Sequence, residues 1–416
     1  MSTHQRSKFE PVRNRQRDVR LDFFRGLGMF IIFVAHTPYN AWADYIPARF
    51  GFSDATEIFV FCSGMASAIA FGRIFDERGF VPGVSRVAHR CWQVYWAHIG
   101  VFFVSAAVLV AADQLLKTGG TIAGQSSLGA IFGPDAPAHI LGVMTLTFVP
   151  GLFNILPMYL VILAMLPLVM LASRHSTAAA FAFVILVWCV GTTGVLAFPA
   201  APGKADVWFF NPLAWQLVFF AGFAFMRGWI PAPPIDRRLI AAAVFVIVVL
   251  VPFAFVPFVD NFAVFKQGNE ALWPVIDKTN FRPGRMLHFL SVAYLAYIAA
   301  GECGRRLRGP LVAVCVKVGQ QALAVFMAGV VLSQIGGIFL DVVGRNPLTT
   351  TATNLIGFAG LVATAYVTAY FKASPWQAAK HVQGNPLPSH SDVDSRGPSR
   401  DTAVVGDGSQ RPAMTP

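Results

Sequence analysis

Residues Leu21 to Pro38 read LDFFRGLGMFIIFVAHTP. The run is apolar and close to the length of a bilayer core, with Asp22 and Arg25 near one end and His36 near the other. A helix of about 20 residues rises roughly 30 Å, the thickness of the hydrocarbon layer. The arginines and lysine ahead of it imitate a secretory leader. Asp22 and Arg25 interrupt the apolar stretch, however, so the segment reads as a first membrane helix. Similar runs recur as far as Phe371, at 22–41, 54–72, 87–112, 149–172, 178–198, 209–227, 238–258, 286–302, 311–335 and 353–372. The composition agrees: 55% of the 416 residues are apolar and 13% charged, about half the charge of an ordinary soluble domain. The expected fold is an all-α integral membrane protein, a bundle of about ten transmembrane helices. The stretch from Ala138 to Val149 is too short to span and leads into Pro150, which suits an interfacial or re-entrant piece.

A net charge of +11 raises the question of nucleic acid. The arginines lie between apolar runs and form no basic face, so they read as topology signals and no nucleic-acid partner is expected. Assigning Lys and Arg to alternate sides gives 17 against 8, which places both termini in the cytoplasm. Residues 1–17 then form a basic cytoplasmic arm and 18–376 the membrane domain. Residues 377–416, rich in Pro, Ser, Asp and Gly, make a tail expected to be disordered. Five scattered cysteines without CxxC or His partners support neither a disulfide framework nor a metal site.

Ionisable groups inside a bilayer cost several kcal/mol each, so those within the spans carry the functional question. Arg25 and His36 are eleven residues apart, which returns them to nearly one helix face about 16 Å apart along the axis. Asp22, three before Arg25, can pair with it. Arg25 either snorkels to the headgroups or serves a ligand, and His36 either packs or acts as a base; their shared stripe favours function. In the second span Asp54 suits a helix cap, and Glu57, one turn on at about the depth of His36, is placed to orient the imidazole. Ser63 and Gly64 fit small-residue helix packing, with a substrate contact by Ser63 as the alternative. His98, Asn211, Trp215, Asp277, Arg285 and His288 are further candidates for contact with a sugar or an anion, against the plainer reading of core and solvated rim.

At these residues the chain resembles the OpgC family of glucan-modifying succinyltransferases, a branch of the membrane acyltransferases called acyltransferase family three. The matching stretches are RDVRLDFFRGLGMFIIFVAHTP, GFSDATEIFVFCSG, NILPMYLVIL, NPLAWQLVFFAG, DKTNFRPGRMLHFL and VGQQALAVF, spread from about Asp18 to Trp376. The broader group is similar in carrying a basic residue, ten intervening positions and a histidine in its first helix, here Arg25 and His36. An SG-containing second helix is matched by Ser63 and Gly64. The resemblance implies a multi-pass protein of the bacterial inner membrane. It also implies an acyl-CoA co-substrate entering from the cytoplasm, a succinyl group transferred, and a periplasmic glucan acceptor outside.

Chemistry and resemblance agree. An acyl transfer needs a base for the hydroxyl proton, and a neutral imidazole suits it, so His36 is expected as general base with Glu57 and Asp54 beside it. The phosphates of CoA need permanent cations, expected from Arg25 with Asp22 as its partner, helped by Arg86 and Arg90. Nothing in the residues themselves distinguishes succinyl from acetyl. The alternatives are an O-acetyltransferase of another exported polysaccharide or lipid-linked sugar, and a glycan transporter, for which paired broken helices and internal repeats are wanting.

Overall fold

A computed structural model describes residues 18–378. The expected basic arm at 1–17 and nearly all of the expected tail lie outside the described residues. By contacts the chain divides into two units, Met1–Ala369 and Tyr370–Pro416. The described part of the second is the last turn of a long helix and a short helix Pro375–Ala378, with Trp376 against Phe371.

The first unit is helical throughout its ordered elements, with one isolated bridge between Pro199 and Val207. Its main helices, in chain order, are α1 (Val19–His36), α2 (Ala55–Glu77), α3 (Phe80–Leu116), α4 (Ala136–Thr145), α5 (Ile155–His175), α6 (Thr177–Thr192) and α7 (Pro212–Arg227). Then follow α8 (Arg237–Ala254), α9 (Ala263–Ile276), α10 (Pro283–Ala300), α11 (Pro310–Gln320), α12 (Ala322–Val343) and α13 (Pro347–Ala373). Six stretches are long and apolar enough to cross a membrane by length and composition: α2, α3, α5 with the turn before it, α8, α12 and α13. The protein is thus a helical multi-pass membrane protein. α1 has the length, 18 residues, but carries Arg20, Asp22 and Arg25 in its first two turns.

The helix ends follow local chemistry. Asp18 caps α1 and binds the Arg20 guanidinium; burial favours its neutral form, but those bonds outweigh it and hold its pKa below the ordinary carboxylate value. Asn211 caps α7, accepting from the Leu213 N–H at 3.1 Å, and Pro212 occupies the first helical position, where its missing N–H costs nothing.

Two sequence expectations are corrected. The run 311–335 is not one helix: it breaks at Gln321, whose backbone leaves the helical region, into α11 and a longer α12 that ends at Val343. The span expected at 238–258 ends at Ala254, and the residues from 256 to 276, most of them expected between spans, form two further helices, Val256–Asn261 and the amphipathic α9. Their aromatic residues alternate with Asp, Lys and Glu, so hydropathy averaging hid them. At 138–149, expected as an interfacial or re-entrant piece, the structure has α4, Ala136–Thr145, ten residues long.

α1 is enclosed by α2, α11 and α12; α2 packs on α7, which also meets α5 and α6; α8 leans on α10. The closest of these contacts rest on glycine. A Cβ built on Gly26 would lie 1.8 Å from the Cys315 carbonyl oxygen, and one on Gly319 would lie 1.8 Å from that of Asp22, so α1 and α11 meet backbone to backbone. The same holds for α2 and α7 through Gly64 and Gly222, whose added carbons would meet the carbonyl oxygens of Phe219 at 1.9 Å and Phe61 at 2.1 Å. Where lipid is as apolar as the side chains, such close approach replaces the hydrophobic effect as the source of attraction.

Gly319→Val is therefore expected to cost about 1–3 kcal/mol of packing or more and to lower the yield of monodisperse protein after a heat challenge in detergent. Gly100→Ala, at a site with nothing within 4 Å, serves as the neutral control. Equal heat resistance of the two variants would contradict the backbone-contact reading.

Candidate functional site

The first turn of α2 organises the site. Asp54 is the N-cap: its carboxylate accepts from the Thr56 N–H at 2.7 Å, while its own N–H donates to Glu57 Oε2 at 2.8 Å. This is a capping box, two orphan donors satisfied reciprocally, and it fixes both carboxylates in a defined orientation. Each then takes a cation from the stretch Asp277–His288. Lys278 pairs with Asp54, and Arg285 Nε donates to Glu57 Oε1 at 2.7 Å, with Glu57 fully buried and Arg285 nearly so. Immediately before the cap, the Ser53 hydroxyl lies 2.7 Å from His288 Nδ1, and His288 Nε2 sits against Gly51 so closely that a Cβ there would be 2.3 Å away. The sequences GFSDATE and DKTNFRPGRMLH are thus docked residue against residue.

The loop that carries Lys278 is held from outside. The indole of Trp215 donates to the Lys278 carbonyl at 2.9 Å, that of Trp188 donates to the Phe281 carbonyl at 3.1 Å, and the Asn211 N–H donates to the Thr279 carbonyl at 3.0 Å. The Asp277 carboxylate accepts from the N–H groups of Thr279 at 3.0 Å and Asn280 at 3.1 Å. The Lys278 ammonium lies 5.8 Å and 5.6 Å from the ring centres of Phe209 and Phe210.

Beside this cluster is a cavity of about 210 Å³. α1 contributes Ile31, Ile32, Ala35 and His36; Asp54 and Thr56 enter from α2, Asn154 from the start of α5, and Lys278 and the two phenylalanines complete the wall. His36 is the last residue of α1, and its Nδ1 is buried without a hydrogen-bond partner. Arg25, three turns away along α1, does not line this cavity; its Nε is also buried and unpartnered. Asp22 is buried beside the α1–α11 contact.

Of the residues singled out in the sequence, His36 and Asp54 line the cavity. Glu57 does not reach the imidazole: the capping box and Arg285 take up its carboxylate, and Asp54 with Lys278 are the charged groups that share the cavity with His36. Arg285 and His288 are buried partners of α2, not rim residues open to a sugar. Asn211, Trp215 and Asp277 act on the Lys278 loop through the bonds given above. Ser63 is buried at the α2–α7 contact, beside Gly64. His98 is buried next to Phe153 with both ring nitrogens unpartnered, away from the cavity lining. Arg86 is exposed on the first turns of α3, and Arg90 donates to Gln93 at 3.1 Å; neither lines the cavity. The residue that sequence reading undervalued is Lys278. Its signal was the DKTN stretch itself, an ammonium flanked by turn-forming residues.

Glu57→Gln leaves the buried Arg285 guanidinium facing a neutral amide, an expected loss of about 3–5 kcal/mol. The double variant Glu57→Gln, Arg285→Met removes the stranded charge and is expected to recover most of the heat resistance. Thermal inactivation of the three proteins in one detergent checks this, and no recovery in the double variant would refute the pairing as the cause.

Comparison with known proteins completes the description. No curated protein and no solved structure matches this chain. A family model described as "OpgC protein" matches residues 17–373, which takes in α1 through α13 and every residue of the cavity, and the chain belongs to the OpgC protein family.

Proposed function

We propose that the protein is a membrane acyltransferase that moves a succinyl group from cytoplasmic succinyl-CoA to hydroxyl groups of osmoregulated periplasmic glucans. What supports the reading is one observation in an OpgC family member: an imidazole with an unsatisfied ring nitrogen in the wall of a cavity that also holds a carboxylate and an ammonium.

His36 is the general base. It takes the proton of the glucan hydroxyl as the oxygen attacks the thioester carbonyl carbon; the C–O bond forms, the C–S bond breaks, and the proton passes from the imidazolium to the departing thiolate. Direct transfer needs no side-chain nucleophile. Asp54, fixed as cap and ion-pair partner, stabilises the imidazolium across the cavity. A volume of about 210 Å³ accepts a small acyl group and one hydroxyl but not a glucan, so the sugar remains outside with a single alcohol inserted.

The donor approaches along α1. Arg25 lies about 16 Å from His36 on the same stripe, near the reach of a pantetheine arm, and its guanidinium suits a pyrophosphate. The charge bias of the loops puts Arg25 on the cytoplasmic side and His36 on the outer side of the inner membrane, with the termini cytoplasmic.

Membranes incubated with glucan and labelled succinyl-CoA are expected to label the sugar. His36→Ala is expected to lower that transfer at least about 100-fold while insertion and expression persist; unchanged anionic glucan by ion-exchange chromatography would remove His36 from the reaction. Arg25→Ala is expected to raise the donor KM about tenfold or more and leave the glucan KM in place, and equal donor affinity in the two proteins would refute its role.

A further inference from the structure

We propose that Lys278 selects the donor: its ammonium receives the free carboxylate of a dicarboxylic acyl group, so that an acid-bearing unit is transferred in preference to acetyl. The inference rests on the acyl-transfer reading above and assigns the substrate class of that same cavity.

Among the residues lining the cavity, Lys278 is the one lysine or arginine; most of the wall is aliphatic or aromatic. An ammonium carries three N–H donors. Asp54 engages Lys278 from one side, and the faces of Phe209 and Phe210 stabilise the charge without consuming an oxygen acceptor. Donor capacity therefore remains for a second oxyanion. An incoming carboxylate also meets little opposition from the two acids nearby. Asp54 is paired with Lys278 and accepts from the Thr56 N–H, and Glu57 is turned away towards Arg285 and the Asp54 N–H.

The cation is fixed before any ligand arrives. Three hydrogen bonds from Trp188, Asn211 and Trp215 clamp the backbone of the Lys278 loop, and Asp277 closes it from within. Little of the binding free energy of a carboxylate would go into ordering this site. Size agrees as well, because about 210 Å³ holds a four-carbon acyl chain with its carboxylate on Lys278 and its thioester carbon towards His36. The carboxylate is a spectator in the reaction. The bond changes remain those at the thioester carbon, and one negative charge passes unaltered from donor to product. An acetyl donor lacks that charge-assisted bond, a difference of roughly ten- to hundredfold in kcat/KM.

The test is competition between succinyl-CoA and acetyl-CoA for glucan in membranes carrying wild type, Lys278→Arg, Lys278→Met, or the double variant Lys278→Met, Asp54→Asn. The double variant strands no buried charge and guards against misfolding of the single one; monodisperse elution verifies both. Wild type is expected to favour succinyl at least tenfold, Lys278→Arg to keep the preference, and both Met variants to bring the ratio towards one in whatever transfer they retain. A ratio unmoved by Lys278→Met, or a wild type without preference for succinyl, overturns the assignment of Lys278 and leaves acyl transfer standing. Wild-type membranes that label glucan from neither donor overturn the acyl-transfer reading itself, and this inference with it.

Discussion

Two carboxylates one helical turn apart at the start of a membrane helix, Glu57 buried and Asp54 half-buried, must be neutralised before the helix can stay where it is. Asp54 and Glu57 meet this demand in three ways: they cap the helix, they bond to each other's backbone and side chain, and each takes one cation from the Asp277–His288 stretch. Removing charges from water costs more than a typical ion pair returns unless the remaining donors and acceptors are occupied as well. Here they are, since Glu57 receives both a guanidinium and an amide N–H. The consequence is positional. Whatever holds α2 in register with α10 also holds Lys278, and the wall of the cavity is a by-product of satisfying buried charge.

The other side of the cavity is set by a different force. α1 is set against α11 by backbone contact at Gly26 and Gly319. Contact of that kind leaves no room for a side chain and little for sliding, which fixes His36 at the end of α1 relative to α2. The site therefore joins α1, located by steric exclusion, to α2, located by close backbone contact with α7 and by ion pairs to the Asp277–His288 stretch. Neither would be sufficient alone, since the cavity is bounded by residues of both.

Much of this was legible in the sequence, and the reason differs by feature. Bilayer-length apolar runs report themselves through composition, so α2, α3, α5, α8 and α13 were readable directly. Asp54 as a cap was readable because capping is local: the side chain and the amide it satisfies are two residues apart. Glu57 was harder. Depth in the membrane suggested His36 as its neighbour, but depth carries no azimuth, and the residue opposite it is 228 positions away. The break between α11 and α12 was hidden because Gln320 and Gln321 sit in an otherwise apolar stretch, where hydropathy cannot see a change in backbone direction. Amphipathic α9 was missed for the complementary reason, its polar residues pulling the average below that of a span.

Lys278 illustrates the limit of residue-by-residue reading and what replaces it. Alone, a lysine before a helix at a membrane surface is an ordinary anchor, and the turn-forming residues around it mark only a loop. Its significance comes from four separate places in the chain: a cap at Asp54, indoles at Trp188 and Trp215, and two rings at Phe209 and Phe210. Each partner has its own local reason to be polar or aromatic, and only their convergence turns a surface cation into a fixed one. A charge held this firmly beside an imidazole changes what the cavity prefers to contain. An apolar pocket would take the acyl group that buries the most apolar surface, whereas one with a preset ammonium takes the group that brings its own anion.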